Sequence, residues 1–123
     1  MLVFVYGTLR KNEYYHEYLN GAELVADQAY VCGELWDTGL GYPALVLGGQ
    51  GRVYGELYRI NPDILQRLDE LEDYHGPDRP NEYERVELDV YTDQHIYSAF
   101  AYVYTTPPEQ GKYLPSGDWK NHS

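Results

Sequence analysis

The segment at residues 61–74 reads NPDILQRLDELEDY and predicts the main helix of a chain that otherwise shows mostly strand patterns. Asn61 can cap this helix, because its side-chain oxygen can accept a backbone N–H of the first turn. Pro62 suits the first helical position, which needs no N–H, and Asp63 suits the positive end of the helix dipole. At about 100° per residue, one arc of roughly 120° holds the apolar side chains Ile64, Leu65, Leu68 and Leu71.

Four acidic residues lie near the end of this helix, and only Glu72 falls inside the apolar arc. Asp69, Glu70 and Asp73 fall outside it. A carboxylate aimed at the core must be paired with a cation, be protonated, or serve a function, because burying an unpaired charge costs much free energy. Two interpretations therefore stay open on the helix pattern alone: a structural glutamate satisfied by backbone or arginine, and a functional acid or base.

Length and charge limit the class of protein. The 123 residues suit one domain, and 20 acidic against 9 basic residues give a net charge of −11. This charge argues against nucleic acid or an anionic membrane surface as a partner. A single cysteine excludes an intrachain disulfide and fits a reducing compartment. With no membrane-length apolar run and no visible signal peptide, we expect a cytoplasmic protein.

The N-terminal segment LVFVY at residues 2–6 predicts a buried central strand, because it is apolar without polar alternation. It ends in GTLR at residues 7–10. A glycine turn can expose several backbone N–H groups and form a concavity for an anion such as a carboxylate. A plain strand-ending turn is the alternative interpretation.

Further strands are predicted at residues 28–37, 44–47, 52–60, 83–91 and 96–104. Glu34 and Glu56 are rival functional carboxylates, but strand alternation places each beside the apolar face, so we expect both to be solvated. The glycines at 48–51 predict a turn, and YPA at 42–44 predicts a stiff corner able to wall a pocket. Residues 106–123 predict a loop packed over the sheet by Tyr113, Leu114 and Trp119.

Metal and nucleophile chemistries have little support in the sequence. The histidines are scattered and show no ligand spacing: His16, His75, His95 and His122. Cys32 lies in mid-strand at an expected core position, where cysteine is usually a small apolar residue. We therefore expect no metal site. Acid–base chemistry by one inward carboxylate near an anion-binding turn is the remaining candidate.

Six short motifs occur in an order typical of one family. They are VYGTLR at 5–10, YPA at 42–44, VYGELY at 53–58, LDELEDY at 68–74, YER at 83–85 and AYVY at 101–104. In this ordered set the chain resembles the γ-glutamylcyclotransferase-like family over about residues 2–105. It is most similar to the small bacterial or archaeal members and, among characterised branches, to γ-glutamylamine cyclotransferase.

The resemblance implies an α+β fold, with a mixed, barrel-like sheet around a central cavity, one main helix and short helical turns. It implies a single domain over residues 1–123, with a core at about 2–105 and a covering tail at 106–123. The implied substrate is a small γ-glutamyl amine or γ-glutamyl amino acid, cyclised to 5-oxoproline with release of the amine. No metal or organic cofactor is implied. We expect a monomer or weak homodimer.

The resemblance also assigns site residues. The family's catalytic glutamate ends the Leu-Asp-x-x-Glu pattern, which places a general acid/base at Glu72. The glutamyl-binding turn corresponds to Tyr6, Gly7, Thr8 and Leu9, with Tyr42 as a further pocket residue. The family's late-strand tyrosine is assigned to Tyr104, and Tyr102 stays open as the alternative.

The implied chemistry is simple. The α-amine of the substrate attacks its own γ-carbonyl, so the enzyme folds the substrate and moves protons. The inward position of Glu72, with Asp69 and Asp73 nearby, predicts a raised carboxyl pKa.

Two features depart from the family pattern, and one other class of function stays open. The family's usual glycine after the catalytic glutamate is Asp73, and the connection at 75–81 is longer and richer in proline than in the simplest members. Both features leave the leaving-group specificity open. The alternative function is a non-catalytic domain of the same fold that binds a small ligand or a partner.

Overall fold

A closed, five-stranded mixed barrel organises the chain in the computed structural model, which describes residues 1–121. His122 therefore lies outside the described residues. The barrel strands are β1 (Leu2–Val5), β2 (Glu23–Asp37), β3 (Pro43–Arg59), β4 (Glu84–Tyr91) and β5 (Ile96–Val103). Around the barrel the order is β3-β1-β5-β4-β2, and β2 pairs with β3 to close it.

The pairing of the strands makes the barrel mixed. β1 runs parallel to β5, with Val3 opposite Phe100, whereas the other neighbours are antiparallel. The long β2–β3 hairpin brings Leu35 opposite Leu45 and carries the closing contact. One main helix, α1 (Pro62–Leu71), follows β3. The α+β class and the barrel-like sheet that the sequence predicted are confirmed.

Two apolar clusters flank β1 and explain its uninterrupted apolar sequence. Phe4 points into the barrel, where it packs with buried side chains such as Val31 and Leu57. Val3 and Val5 point the other way, into a second cluster that contains Ile64 and Leu68 of α1. Since both faces of β1 are covered, no polar alternation is possible there.

Local capping rules account for the helix boundaries. The Asn61 side chain accepts a hydrogen bond from the Ile64 N–H at 2.9 Å, and Pro62 is the first helical residue. A short 3₁₀ helix, His16–Leu19, follows the turn after β1 and is one of the short helical turns that the resemblance implied. Gly21 follows it with φ of 92°, a left-handed conformation that suits a glycine after a helix end.

Two strand details differ from the sequence prediction. Cys32 is exposed, because Val31, Gly33 and Leu35 face inward and period-two alternation directs Cys32 outward. The glycines at 48–51 do not separate two strands but form part of β3. The register shift between Cys32 and Gly33 marks an irregularity that accommodates them within the hairpin.

The C-terminal segment is more regular than the predicted loop. Lys112–Leu114 forms a short strand, β6, which pairs antiparallel with the end of β2. Leu114 and Trp119 are buried against the barrel core, whereas Tyr113 faces outward because adjacent strand residues alternate. Within residues 1–121, none of the helices has the length and apolar character needed to span a bilayer.

Candidate active site

A narrow pocket opens at one end of the barrel, where β1 and β5 end and β3 and β4 begin. Its cavity volume is about 30 Å³, room for little more than one water molecule. The lining residues are Phe4, Val5, Tyr6, Gly7, Thr8, Leu9, Tyr42, Pro43, Glu72, Tyr83 and Tyr102. The cavity lies at the barrel end because apolar side chains fill the interior.

The turn after β1 forms one wall of this pocket. Gly7 sits so close to Pro43 that a Cβ would meet the ring Cγ at 2.5 Å, so only glycine fits there without movement. The Arg10 N–H donates to the Gly7 carbonyl at 3.0 Å and closes the turn. Within residues 1–121, the N–H groups of Gly7, Thr8 and Leu9 donate no hydrogen bond. The turn therefore offers free donors to an anionic group.

A buried ion pair fixes the far side of the turn. Glu56 is only 4% exposed and accepts from Arg10 Nε at 2.9 Å and from the Lys11 N–H at 2.8 Å. Arg10 also pairs with Asp118 at 2.8 Å. The expectation that Glu56 is solvated is therefore wrong, because Arg10 and the C-terminal segment cover the outer face of β3.

Glu72 forms the opposite wall, at the C-terminal end of α1. The Glu72 N–H donates to the Leu68 carbonyl at 2.9 Å, and this helical hydrogen bond fixes the backbone from which the Glu72 side chain extends. In the part of the chain that the structure describes, the Glu72 carboxylate has no hydrogen-bond or ion-pair partner. Arg10 is occupied by Glu56, and Arg85 pairs with Asp69 at 2.5 Å.

The surroundings raise the pKa of the Glu72 carboxyl to about 8, chiefly through burial and secondly through the negative charge of Glu82. The negative charge that acts on Glu72 therefore comes from Glu82, and not from Asp69 and Asp73 as the sequence suggested. Asp69 is neutralised by Arg85 and also accepts from the Tyr102 hydroxyl at 2.6 Å. Asp73 pairs with His75 at the surface.

Asp73, where the resemblance implied a glycine, has a backbone conformation that suits glycine. Asp73 has φ of 55°, in the left-handed region that glycine adopts without strain. Aspartate tolerates this region better than most side chains, because it is short and polar. The Tyr74 N–H then donates to the Asp69 carbonyl at 2.8 Å and completes the end of the helix. Asp73 thus adopts the left-handed backbone conformation that a glycine would adopt after Glu72.

The pocket tyrosines are held by structural hydrogen bonds. The Tyr6 hydroxyl donates to the Tyr102 carbonyl at 2.6 Å and accepts from the Leu45 N–H at 3.1 Å. The Tyr83 hydroxyl donates to the Pro43 carbonyl at 2.6 Å. Burial raises the pKa of Tyr6, of Tyr83 and of Tyr102 above the ordinary tyrosine value. These hydroxyls stay protonated near neutral pH, which leaves Glu72 as the titrating group of the pocket.

The structure brings most of the predicted site residues together. Six of them line the pocket: Tyr6, Gly7, Thr8, Leu9, Tyr42 and Glu72. Tyr104 is not part of the lining but donates to Glu82, which Tyr42 also contacts, whereas Tyr102 lines the pocket. Tyr83 was missed as a pocket residue, although the YER motif at 83–85 contained it. Within residues 1–121, no three potential ligands cluster as a metal site would require.

The fold class is a mixed barrel with one main helix, and its end pocket is lined by an unpaired glutamate and a glycine turn with free N–H groups. Residues 3–121 match the family described as gamma-glutamyl cyclotransferase, AIG2-like, and the chain belongs to that family.

Individual relatives support the assignment. The gamma-L-glutamyl-butirosin B gamma-glutamyl cyclotransferase of Niallia circulans is 41% identical, over 98% of this chain and 76% of the relative. The gamma-glutamylcyclotransferase family protein YtfP of Escherichia coli K12 is 37% identical, over 97% of this chain and 96% of YtfP. The structure of an aig2-like protein from Mus musculus has a TM-score of 0.76 at 27% identity, covering 93% of this chain and 85% of the mouse chain.

Proposed function

We propose that this protein cyclises a γ-glutamyl amine or γ-glutamyl amino acid to 5-oxoproline and releases the free amine. The observation that carries the proposal is the unpaired Glu72 carboxylate facing the free N–H groups of Gly7, Thr8 and Leu9 in one pocket. Family membership supports the class of reaction, and the Niallia circulans relative is named for removal of such a group from butirosin B.

The turn provides the binding half of this function. The α-carboxylate of the glutamyl group accepts hydrogen bonds from the N–H groups of the Gly7–Leu9 turn. These local hydrogen bonds are needed because a protein of net charge −11 does not attract an anion at long range. The enclosed volume of about 30 Å³ is smaller than a glutamyl group, so the pocket side chains must move apart to admit the glutamyl end, and the leaving amine stays outside. Holding the amine and the γ-carbonyl together gives the ring closure a large effective molarity.

Glu72 provides the proton transfer. The neutral α-amine attacks the γ-carbonyl carbon, and the new C–N bond closes the five-membered ring. The ionised Glu72 carboxylate removes one proton from the attacking nitrogen and returns it to the leaving nitrogen as the old C–N bond breaks. The products are 5-oxoproline and the amine, and Glu72 returns to its starting form. A pKa of about 8 lies close to the operating pH, where such a group transfers protons efficiently.

The wider setting of the protein is also a proposal. The lone Cys32, exposed and unpaired by disulfide, supports a reducing, cytoplasmic environment. The remaining assignments from the sequence, a single domain over 1–123 and a monomer or weak homodimer, stay predictions.

Release of 5-oxoproline from a panel of γ-glutamyl amines and dipeptides tests the function. We expect turnover of at least one substrate, and Glu72→Gln should reduce kcat by at least about 100-fold while the fold survives. Glu70→Gln is the matched control, because Glu70 is exposed on the same helix, and it should retain activity. Full activity of Glu72→Gln would remove Glu72 from the mechanism. Binding of γ-glutamyl compounds without any turnover would instead identify a non-catalytic binding domain.

A further inference from the structure

A second carboxylate, that of Glu82, is held next to Tyr42, a residue that lines the pocket. Its Oε1 accepts a hydrogen bond from the Tyr42 hydroxyl at 3.1 Å and another from the Tyr104 hydroxyl. Its backbone N–H donates to the Asp73 carbonyl at 3.1 Å, next to Glu72 in the chain. Side-chain and backbone contacts together hold this exposed residue in place.

The negative charge of Glu82 is not neutralised by the protein. None of the ion pairs among the described residues includes Glu82 or Glu72. Arg85 is held by Asp69. Both tyrosine hydroxyls reach Oε1, and Oε2 accepts no hydrogen bond within residues 1–121. Glu82 therefore presents a carboxylate oxygen that accepts no hydrogen bond, next to Tyr42 of the pocket wall.

We propose that Glu82 determines specificity by favouring γ-glutamyl substrates whose leaving amine carries a second, positively charged group. This inference rests on the proposed function, since it takes the glutamyl end to be bound by the turn at Gly7–Leu9. A cationic group on the leaving amine then lies near Glu82 and can donate to Oε2. A leaving group that bears a carboxylate, as in a γ-glutamyl amino acid, meets the like charge of Glu82.

The two tyrosines make this selection possible at an exposed position. A free glutamate side chain would lose rotamer freedom on binding a cation, and the loss would offset much of the attraction. Tyr42 and Tyr104 already restrict Glu82, so less freedom remains to be lost. Tyr42 also lines the pocket, and so it joins the catalytic cavity to the selecting carboxylate.

Three amides of matched length test the proposal. They join the γ-carboxyl of glutamate to 1-aminobutane (neutral), 1,4-diaminobutane (cationic) or 4-aminobutanoate (anionic). For the unmodified protein we expect kcat/KM to fall in the order cationic, neutral, anionic, by about two- to fivefold per step, as for an exposed ion pair. The ratios should shrink at about 0.5 M salt, where exposed charges are screened.

Variants of Glu82 assign the preference to that residue. Glu82→Gln should bring the three kcat/KM values to within about twofold of one another, and Glu82→Lys should reverse their order. Glu87→Gln and Glu87→Lys are the matched controls, since Glu87 is an exposed glutamate further along β4 and should leave the ratios unchanged.

The outcomes separate the two proposals. Turnover with the same ratios in Glu82→Gln as in the unmodified protein would overturn the specificity inference alone. Absence of turnover for every γ-glutamyl compound tested would overturn the proposed function and this inference with it.

Discussion

The proposed chemistry of this protein depends on one side chain, the Glu72 carboxylate. It lies at the end of the apolar stripe of α1, where the helix periodicity of the sequence placed it, and the pocket accounts for its inward direction. The helix pattern left open a structural glutamate paired with arginine. Within residues 1–121, however, Arg10 pairs with Glu56 and Arg85 pairs with Asp69, so neither arginine pairs with Glu72.

Burial of Glu72 should make the stability of the protein depend on pH. The pKa of the carboxyl rises from 4.5 to about 8 on folding, so its ionisation opposes the folded state. Glu72→Gln should therefore match the unmodified protein in free energy of unfolding near pH 4.5 and exceed it by up to a few kcal/mol above pH 8. Urea denaturation at about pH 5.5 and about pH 8.5 measures the change.

The control for this experiment is Glu70→Gln, whose exposed side chain should show no such growth with pH. An equal difference between Glu72→Gln and the unmodified protein at both pH values would contradict the burial of an ionisable Glu72.

The geometry of the proposed active site depends on how two separate elements end. The turn after β1 carries the free N–H groups, and the end of α1 carries Glu72. Capping and left-handed residues fix the helix end, whereas the buried Arg10–Glu56 pair fixes the turn. The precision of the site therefore rests on contacts that lie outside the pocket.

Removal of Glu56 should destabilise the protein strongly. Glu56→Ala leaves Arg10, which is 8% exposed, with only Asp118 as an ionic partner, and we expect a loss of about 3 kcal/mol in the free energy of unfolding. The matched control is Glu23→Ala, which breaks the exposed Glu23–Arg59 pair and should cost less than about 1 kcal/mol. Chemical denaturation of both variants provides the comparison. Equal losses would show that burial does not distinguish the two pairs.

The C-terminal segment is joined to the barrel by hydrogen bonds, an ion pair and apolar packing. The Tyr54 N–H donates to the Gly117 carbonyl at 2.8 Å, and Asp118 reaches Arg10 behind the glycine turn. Trp119 belongs to the same apolar cluster as Phe4 and Leu57 in the barrel. The segment that the sequence described as a covering loop therefore contributes to the core and supports the site from behind.

Substitution of Trp119 tests this role of the C-terminal segment. Trp119 is 5% exposed, so Trp119→Ala should lower the free energy of unfolding by about 3–5 kcal/mol through lost burial and a new cavity. Tyr113→Ala, at a residue of β6 that is 42% exposed, should cost less than about 1 kcal/mol. Thermal or urea unfolding checks both values. A small loss for Trp119→Ala would mean that the segment only covers the barrel.

Local rules made much of this structure predictable. Asn61 and Pro62 set the start of α1, the spacing of its leucines set its buried face, and the alternation at residues 84–91 identified β4. Strand alternation failed to predict the burial of Glu56. Strand alternation tells which side a residue takes but not what later covers that side.

The amino-acid sequence was sufficient for most of the elements, the barrel class, the family and the inward direction of Glu72, because these follow from periodicity, caps and ordered motifs. Only the folded chain decided which charges meet. It neutralised Asp69 with Arg85, brought Glu82 beside Glu72, and joined Arg10 to both Glu56 and Asp118. Such pairings join residues up to 108 positions apart, and no local pattern specifies them since electrostatic contact depends on distance in space.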